Sequence, residues 1–284
     1  MAAPTYLPHQ VDRMGTQTEP VCLFCRGKGP FNSVEHIVPV SLGNDKDVLK
    51  GVVCDKCQNY FGREIEGPAL HKTPFAFWRV HLGINTRKGK LPTVQLNPPK
   101  SGLIPAQHPL TDLLGYTAHE NGSTSVDIDD PEVVRSIVRG EKNNFKLVLS
   151  PWHLIVMGRL LGKMGLEYLA LTDVSLVMTS QFNEMRKYVR EGTVKSIWPL
   201  FWGQQGSLSD LRGELIDHGG HFEQEIECYR YSLGISNADE YLFAFSMGTD
   251  LILICLSHRN PDLRFTRMVE GTQLECVWYS DDSW

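Results

Sequence analysis

Four cysteines in two Cys-x-x-Cys pairs, Cys22/Cys25 and Cys54/Cys57, can offer four thiolates to a single ion. Four thiolates close a tetrahedral structural zinc site at about 2.3 Å per bond and leave no position for a substrate. Between the pairs stands an acid–imidazole dipeptide, Glu35-His36, and the amide pair Gln58-Asn59 follows the last cysteine. These residues suit a different chemistry. A carboxylate and an amide oxygen are hard ligands that favour Mg²⁺ or Mn²⁺, and a histidine titrates nearest to neutrality, as a general base must. Hydrolysis of a phosphodiester needs such a base, a nucleophile aimed in line, and a cation that neutralises the departing oxygen. The residues therefore point to two ions, a zinc that shapes the scaffold and an oxygen-bound ion beside His36.

Such side chains need elements to carry them. Ser33 to Val38 is short and β-branched and is stopped by Pro39, which predicts a strand ending near His36. Ser41 to Asp45 is a polar loop, and Val48 to Val53 reads as a second strand. Asp55 is placed to cap a helix that would carry Gln58, Asn59 and Glu66. Strand, loop, strand and helix make a ββα unit pinned by one zinc.

Over residues 20 to 66 the chain resembles the HNH endonucleases, in the subgroup whose ββα-metal fold is braced by four cysteines. The resemblance rests on the two Cys-x-x-Cys pairs, on Glu35-His36-Ile37-Val38-Pro39, on Ser41-Leu42-Gly43-Asn44, and on Val53-Cys54-Asp55-Lys56-Cys57-Gln58-Asn59-Tyr60-Phe61-Gly62. It implies that Glu35 ligates a divalent ion, that His36 deprotonates the attacking water, that Asn44 steadies the loop or the histidine, and that Asn59 or Gln58 supplies the ligand from the helix. DNA is the implied substrate, and restriction or phage defence the implied setting. The pattern departs at two places: Gln58 stands directly after the last cysteine where relatives usually have Asn, and Lys50-Gly51 occupy the stretch where the middle Asn is often found.

The 284 residues, 42% hydrophobic and 21% charged, are enough for about two domains with a large core. No apolar run reaches the roughly 18 residues of a spanning helix and the N-terminus lacks a signal-peptide core, so the expectation is a cytoplasmic protein without a membrane partner. Cys228, Cys255 and Cys276 remain outside the zinc pattern and read as reduced thiols in apolar surroundings. The net charge of −5 is unevenly spread. Arg63, Lys72, Arg79, Arg87, Lys88, Lys90 and Lys100 face only Glu64 and Glu66 over residues 63–100, whereas residues 200–284 hold fourteen acids and five arginines. Arg63, Arg79, Arg87, Lys88 and Lys90 are therefore the candidates to lie along phosphates.

The fold class expected is α+β: an arm over 1–20, the zinc-braced ββα unit over 21–67, a basic linker over 68–100, and a mixed helical and antiparallel-sheet domain over 101–284. Pro68 to Pro74 should break the helix, and Asn97-Pro98-Pro99-Lys100-Ser101-Gly102 is the boundary. Gly115 to Ile128 reads as a hairpin turning at Asn121-Gly122, followed by a helix from Glu132 to Arg139. Trp152 to Leu171 is the clearest helix: Leu154, Met157, Leu161, Met164 and Tyr168 mark its inner face, and Arg159, Lys163 and Glu167 share the other. A helix over Thr179 to Glu191 should turn Arg186, Lys187 and Arg190 outward. From Phe222 the period becomes two, giving strands over 222–233, 241–247, 251–257 and 273–278. His218 and His221 beside Asp217 lack a third committed ligand and carry no metal reading.

Two further functional classes are open. One is a zinc-braced nucleic-acid-binding module whose catalytic site has decayed, and the other a protein-interaction finger. The C-terminal domain is the expected seat of target recognition, of a protein partner or of homo-oligomerisation.

Overall fold

The computed structural model describes residues 19–44, 46–82, 84–85, 89, 93–95, 115–118, 124–127, 151–193, 198–204, 229–235, 239–248, 250–259, 261 and 274–277. Most of the N-terminal arm, Arg87, Lys88, Lys90, the Asn97 to Gly102 boundary, the helix read at Glu132 to Arg139, and the His218/His221 pair lie outside them. The described elements are helices and antiparallel sheets, an α+β arrangement.

Strands β1 (Val34–His36) and β2 (Val48–Lys50) pair antiparallel, with Glu35 opposite Leu49 and His36 opposite Val48. β2 ends earlier than the run to Val53 suggests, because Gly51 adopts φ 71°, a left-handed backbone that leaves the strand path. Helix α1 (Asp55–Phe61) follows. Its N-cap is Cys54; Asp55 does not cap it. The Asp55 carboxylate instead accepts the backbone N–H groups of Asn32 and Ser33 at 2.9 Å each, which ties the entrance of β1 to the helix.

Pro68 does not break the helix. The chain passes from α1 through a π-helical turn, Gly62–Glu66, directly into α2 (Gly67–Lys72). Proline has no N–H and its ring crowds the carbonyl four residues back. The wider turn, in which the Gly67 N–H reaches the Gly62 carbonyl, relieves that clash one residue before the proline. The break comes at Thr73, which is extended, and α3 (Pro74–His81) starts just beyond it.

Helix α4 (Pro151–Thr172) is the axis of the molecule. His153 through Glu167 are buried without interruption, so the helix is enclosed all round. Neighbours come close where it has no side chain. A Cβ on Gly158 would lie 2.5 Å from the Tyr188 hydroxyl, one on Gly162 2.5 Å from the Met185 sulfur, and one on Gly165 2.7 Å from Leu256 and 2.9 Å from Phe243. The first two contacts seat α6 (Asn183–Glu191), reached through the short α5 (Val174–Val177); the third seats a sheet.

That sheet has five antiparallel strands in the order β10-β6-β9-β8-β7: β6 (Leu200–Gln204), β7 (Tyr229–Ile235), β8 (Tyr241–Met247), β9 (Asp250–Cys255) and β10 (Glu275–Val277). β8 and β9 form the hairpin expected from their alternation, with Met247 opposite Asp250. A second sheet orders β3 (Thr93–Gln95), β4 (Gly115–Ala118) and β5 (Thr124–Asp127), the latter two paired antiparallel. One apolar cluster runs from Cys22, Leu23 and Phe61 of the cysteine-bearing unit through Met157, Leu161 and Met164 of α4 to Phe243, Phe245 and Ile254 of the sheet. At about 1.5–3 kcal/mol per fully buried large apolar side chain, this shared interior holds the ββα unit against α4.

Candidate functional site

The two cysteine pairs converge. Cys22 and Cys25 sit on a tight turn before β1, while Cys54 and Cys57 flank the first turn of α1, and all four sulfurs lie within 4.8 Å of one another. Cys25 Sγ and Cys54 Sγ are 3.6 Å apart, close to the sulfur spacing of a tetrahedron with zinc bonds of about 2.3 Å. Backbone N–H groups of Cys54 and Gly27 point at Cys22 Sγ and Cys25 Sγ at 3.4 Å each, the outer support that orients thiolate ligands. A hydrogen bond from the Cys57 thiol pulls Cys22 down to about 4, and its role as donor together with burial pushes Cys57 up. Several thiolates this close repel one another unless a cation joins them. Donor type, number and spacing fit a zinc ion, and among the described residues this is the group of His, Cys, Asp or Glu ligand atoms gathered tightly enough to hold a metal.

The oxygen side of the unit is built differently. Strand alternation turns Glu35 inward, where it is 6% exposed, and leaves His36 half-buried at the end of β1. Inward of Glu35 stands Lys163 of α4. Its ammonium is fully buried and lies 2.6 Å from Glu35 Oε1, 2.9 Å from Glu167 Oε2, 3.0 Å from Glu66 Oε1 and 3.2 Å from the His36 backbone oxygen. Burial opposes the Lys163 charge, but Glu167, Glu35 and Glu66 outweigh it and hold the ammonium well above the usual lysine range. Burial likewise raises Glu35 and Glu167, with Lys163 acting against it in both. The second carboxylate oxygen of Glu167, Oε1, is buried without a hydrogen-bond partner.

Arg159, Lys163 and Glu167 thus do not form an outer face of α4. All three are buried, and Lys163 reaches into the ββα unit to Glu35 and the His36 carbonyl. Arg159 donates to the Val189 carbonyl at 2.8 Å and to the Tyr60 hydroxyl at 2.7 Å, tying α1, α4 and α6 together. Arg186 is also inside, against the expectation for α6: its guanidinium donates to the carbonyls of Val177 and Thr179 and closes the preceding turn, while Lys187 is exposed.

Asn44 is 1% exposed and braces the loop between β1 and β2. Its Nδ2 donates to the Val38 and Asp47 carbonyls at 2.8 and 3.0 Å, and its Oδ1 accepts the N–H groups of Lys46 and Asp47 at 2.9 Å each. The Gln58 amide nitrogen donates to the Val53 and Ser33 carbonyls at 3.0 and 3.2 Å, so this side chain ties the helix to the strand entrance. Asn59 is exposed, and neither amide is bonded to Glu35. As arranged, Glu35, Gln58 and Asn59 do not fit a hard divalent ion: the carboxylate is paired with Lys163 and one amide is spent on backbone. Arg63 is exposed and pairs with its neighbour Glu64 at 2.5 Å. Arg79 departs from the phosphate-contact expectation. It is 1% exposed and donates to the Ser41 and Leu70 carbonyls at 2.7 and 2.8 Å, because an arginine inside a helix bundle must spend its donors on whatever carbonyls surround it.

Lys163, Glu66 and Glu167 carry no role in the sequence reading. The signal for Lys163 and Glu167 was present nonetheless: with Arg159 they recur every four residues in a largely apolar helix. No protein-family profile, curated protein or solved structure matches this chain. Among the described residues, no helix is long and apolar enough to cross a membrane.

Proposed function

We propose that the ββα unit is a phosphodiester hydrolase module of the HNH type, braced by zinc on Cys22, Cys25, Cys54 and Cys57, with His36 as the general base acting on DNA. The observation that carries this reading is the placement of Glu35-His36 on an antiparallel hairpin whose loop is pinned by Asn44 and whose following helix starts from the cysteine cluster. His36 lies at the strand end and is half-buried, as suits an imidazole that must take a proton from water while its backbone is held. Arg63, exposed on the π-helical turn and paired with Glu64, is a candidate to meet a phosphate, and the C-terminal half would select the target.

The test is nicking of supercoiled plasmid with Mg²⁺ or Mn²⁺, comparing the native chain with His36→Ala at equal zinc content. Loss of nicking in the variant is the expected result; equal nicking by both removes His36 from the chemistry. A second reading, a nucleic-acid-binding module that does not hydrolyse, is favoured by the Lys163–Glu35 pair and by the engagement of Gln58 with backbone. It calls for binding that weakens steeply with salt and for no cleavage with any metal.

A further inference from the structure

The acidic pole formed by Glu35, Glu66 and Glu167 draws its carboxylates from β1, from the π-helical turn and from α4, three elements far apart in the chain. It already contains a cation. The Lys163 ammonium has three protons and four acceptors within 2.6–3.2 Å: one oxygen from each of the three carboxylates and the His36 carbonyl. Those distances suit an ammonium. Mg²⁺ draws its oxygens to about 2.0–2.1 Å, and the carboxylates do not converge that far, since the cysteine cluster is the described group whose ligand atoms all lie within 4.8 Å. Two cations in this volume would repel each other strongly at so short a separation. Glu167 also keeps one oxygen buried without a partner, a spare acceptor that the ammonium leaves unused.

We propose that Lys163 is the resident cation of this pole, so that α4 holds Glu35 closed to divalent ions, and that such an ion enters only where the ammonium has left. The cation thereby belongs to the C-terminal half although the pole belongs mainly to the cysteine-braced unit. Whatever moves α4 relative to β1 changes whether Glu35 is open. Hydrolysis that uses a divalent ion at Glu35 would first require the ammonium to be withdrawn from it.

The experiment is Mn²⁺ uptake by the zinc-loaded full chain, read from the loss of the free-ion paramagnetic resonance signal, for the native protein, Glu35→Gln, Lys163→Met and the Lys163→Met/Glu35→Gln double variant. The native chain should show no uptake that Glu35→Gln removes. Lys163→Met should gain a Mn²⁺ site that the double variant loses. Native uptake abolished by Glu35→Gln overturns the proposal, as does a folded Lys163→Met chain with no gain. If Lys163→Met fails to fold, Lys163→Gln, which also removes the ammonium but keeps a polar group among the carboxylates, takes its place with the same expected gain of a Mn²⁺ site and the same overturning result. Because the readout is binding, plasmid nicking can fail in every sample without touching this result.

Discussion

Lys163 of α4 and Glu35 of β1 form a buried ion pair, nitrogen 2.6 Å from oxygen, with the lysine side chain wholly excluded from solvent. Removing one partner of such a pair leaves an uncompensated charge inside the protein, which costs about 3–5 kcal/mol. Lys163→Met should therefore lower the unfolding free energy obtained from urea titration by that order. A triple variant that also carries Glu35→Gln and Glu167→Gln should recover most of the loss, since it removes the stranded charges. A Lys163→Met chain within about 1 kcal/mol of native would show that the pair contributes little.

Zinc and folding should be inseparable in the ββα unit, whose sulfurs lie within 4.8 Å of one another. Cys54→Ser is expected to lose the metal and the cooperative unfolding of this unit, because a structural site contributes its binding energy directly to folding. Elemental analysis of reduced, freshly purified protein, with circular dichroism melts, provides the check. Native protein that carries no zinc would remove the metal from the structure.

His153 on α4 is 2% exposed, and burial pushes it down to about 4. A depressed folded-state value means that the unfolded chain binds the proton first, so this contribution is complete above about 6.5 and is lost as the pH falls toward 4. At about 1.4 kcal/mol per pH unit it is on the order of 3 kcal/mol. Urea midpoints followed from pH 7 to pH 4 should fall accordingly, and more shallowly in His153→Phe. Parallel curves for the two proteins would assign the acid sensitivity elsewhere.

Two arginines from the basic stretch should behave oppositely on DNA. Arg63→Ala removes an exposed cation and should reduce the slope of log affinity against log salt by about 0.9. Arg79→Ala should leave the slope unchanged while costing about 1–3 kcal/mol for each carbonyl it leaves unbonded, at Ser41 and Leu70. A lowered slope with Arg79→Ala and intact stability would contradict its burial.

Gly165 marks the contact between α4 and the five-stranded sheet. Adding one methyl there meets Leu256 and Phe243 at under 3 Å, and overpacking of this kind costs about 1–3 kcal/mol. Gly165→Ala should lower the melting temperature, whereas Gly62→Ala, which meets nothing within 4 Å, should not.

By itself the sequence determined whatever is local and periodic. The paired cysteines, the hairpin holding Glu35 and His36, the helix after Cys54, the long apolar helix, and the alternating strands over Tyr241–Met247 and Asp250–Cys255 follow from spacing, turn residues and period, which act over a few residues. Tertiary structure alone decided which charges are inside. Arg79, Arg159, Lys163, Glu167 and Arg186 read as surface residues because burial of a charge is costly unless a partner is present; the arginines find carbonyls of turns and neighbouring helices, and Lys163 pairs both with Glu167 one turn along α4 and with Glu35 of the distant β1. Glu35 was legible as an acid poised for a cation. That the cation beside it is the ammonium of Lys163 depends on α4 packing across β1, a relation no short stretch of chain encodes.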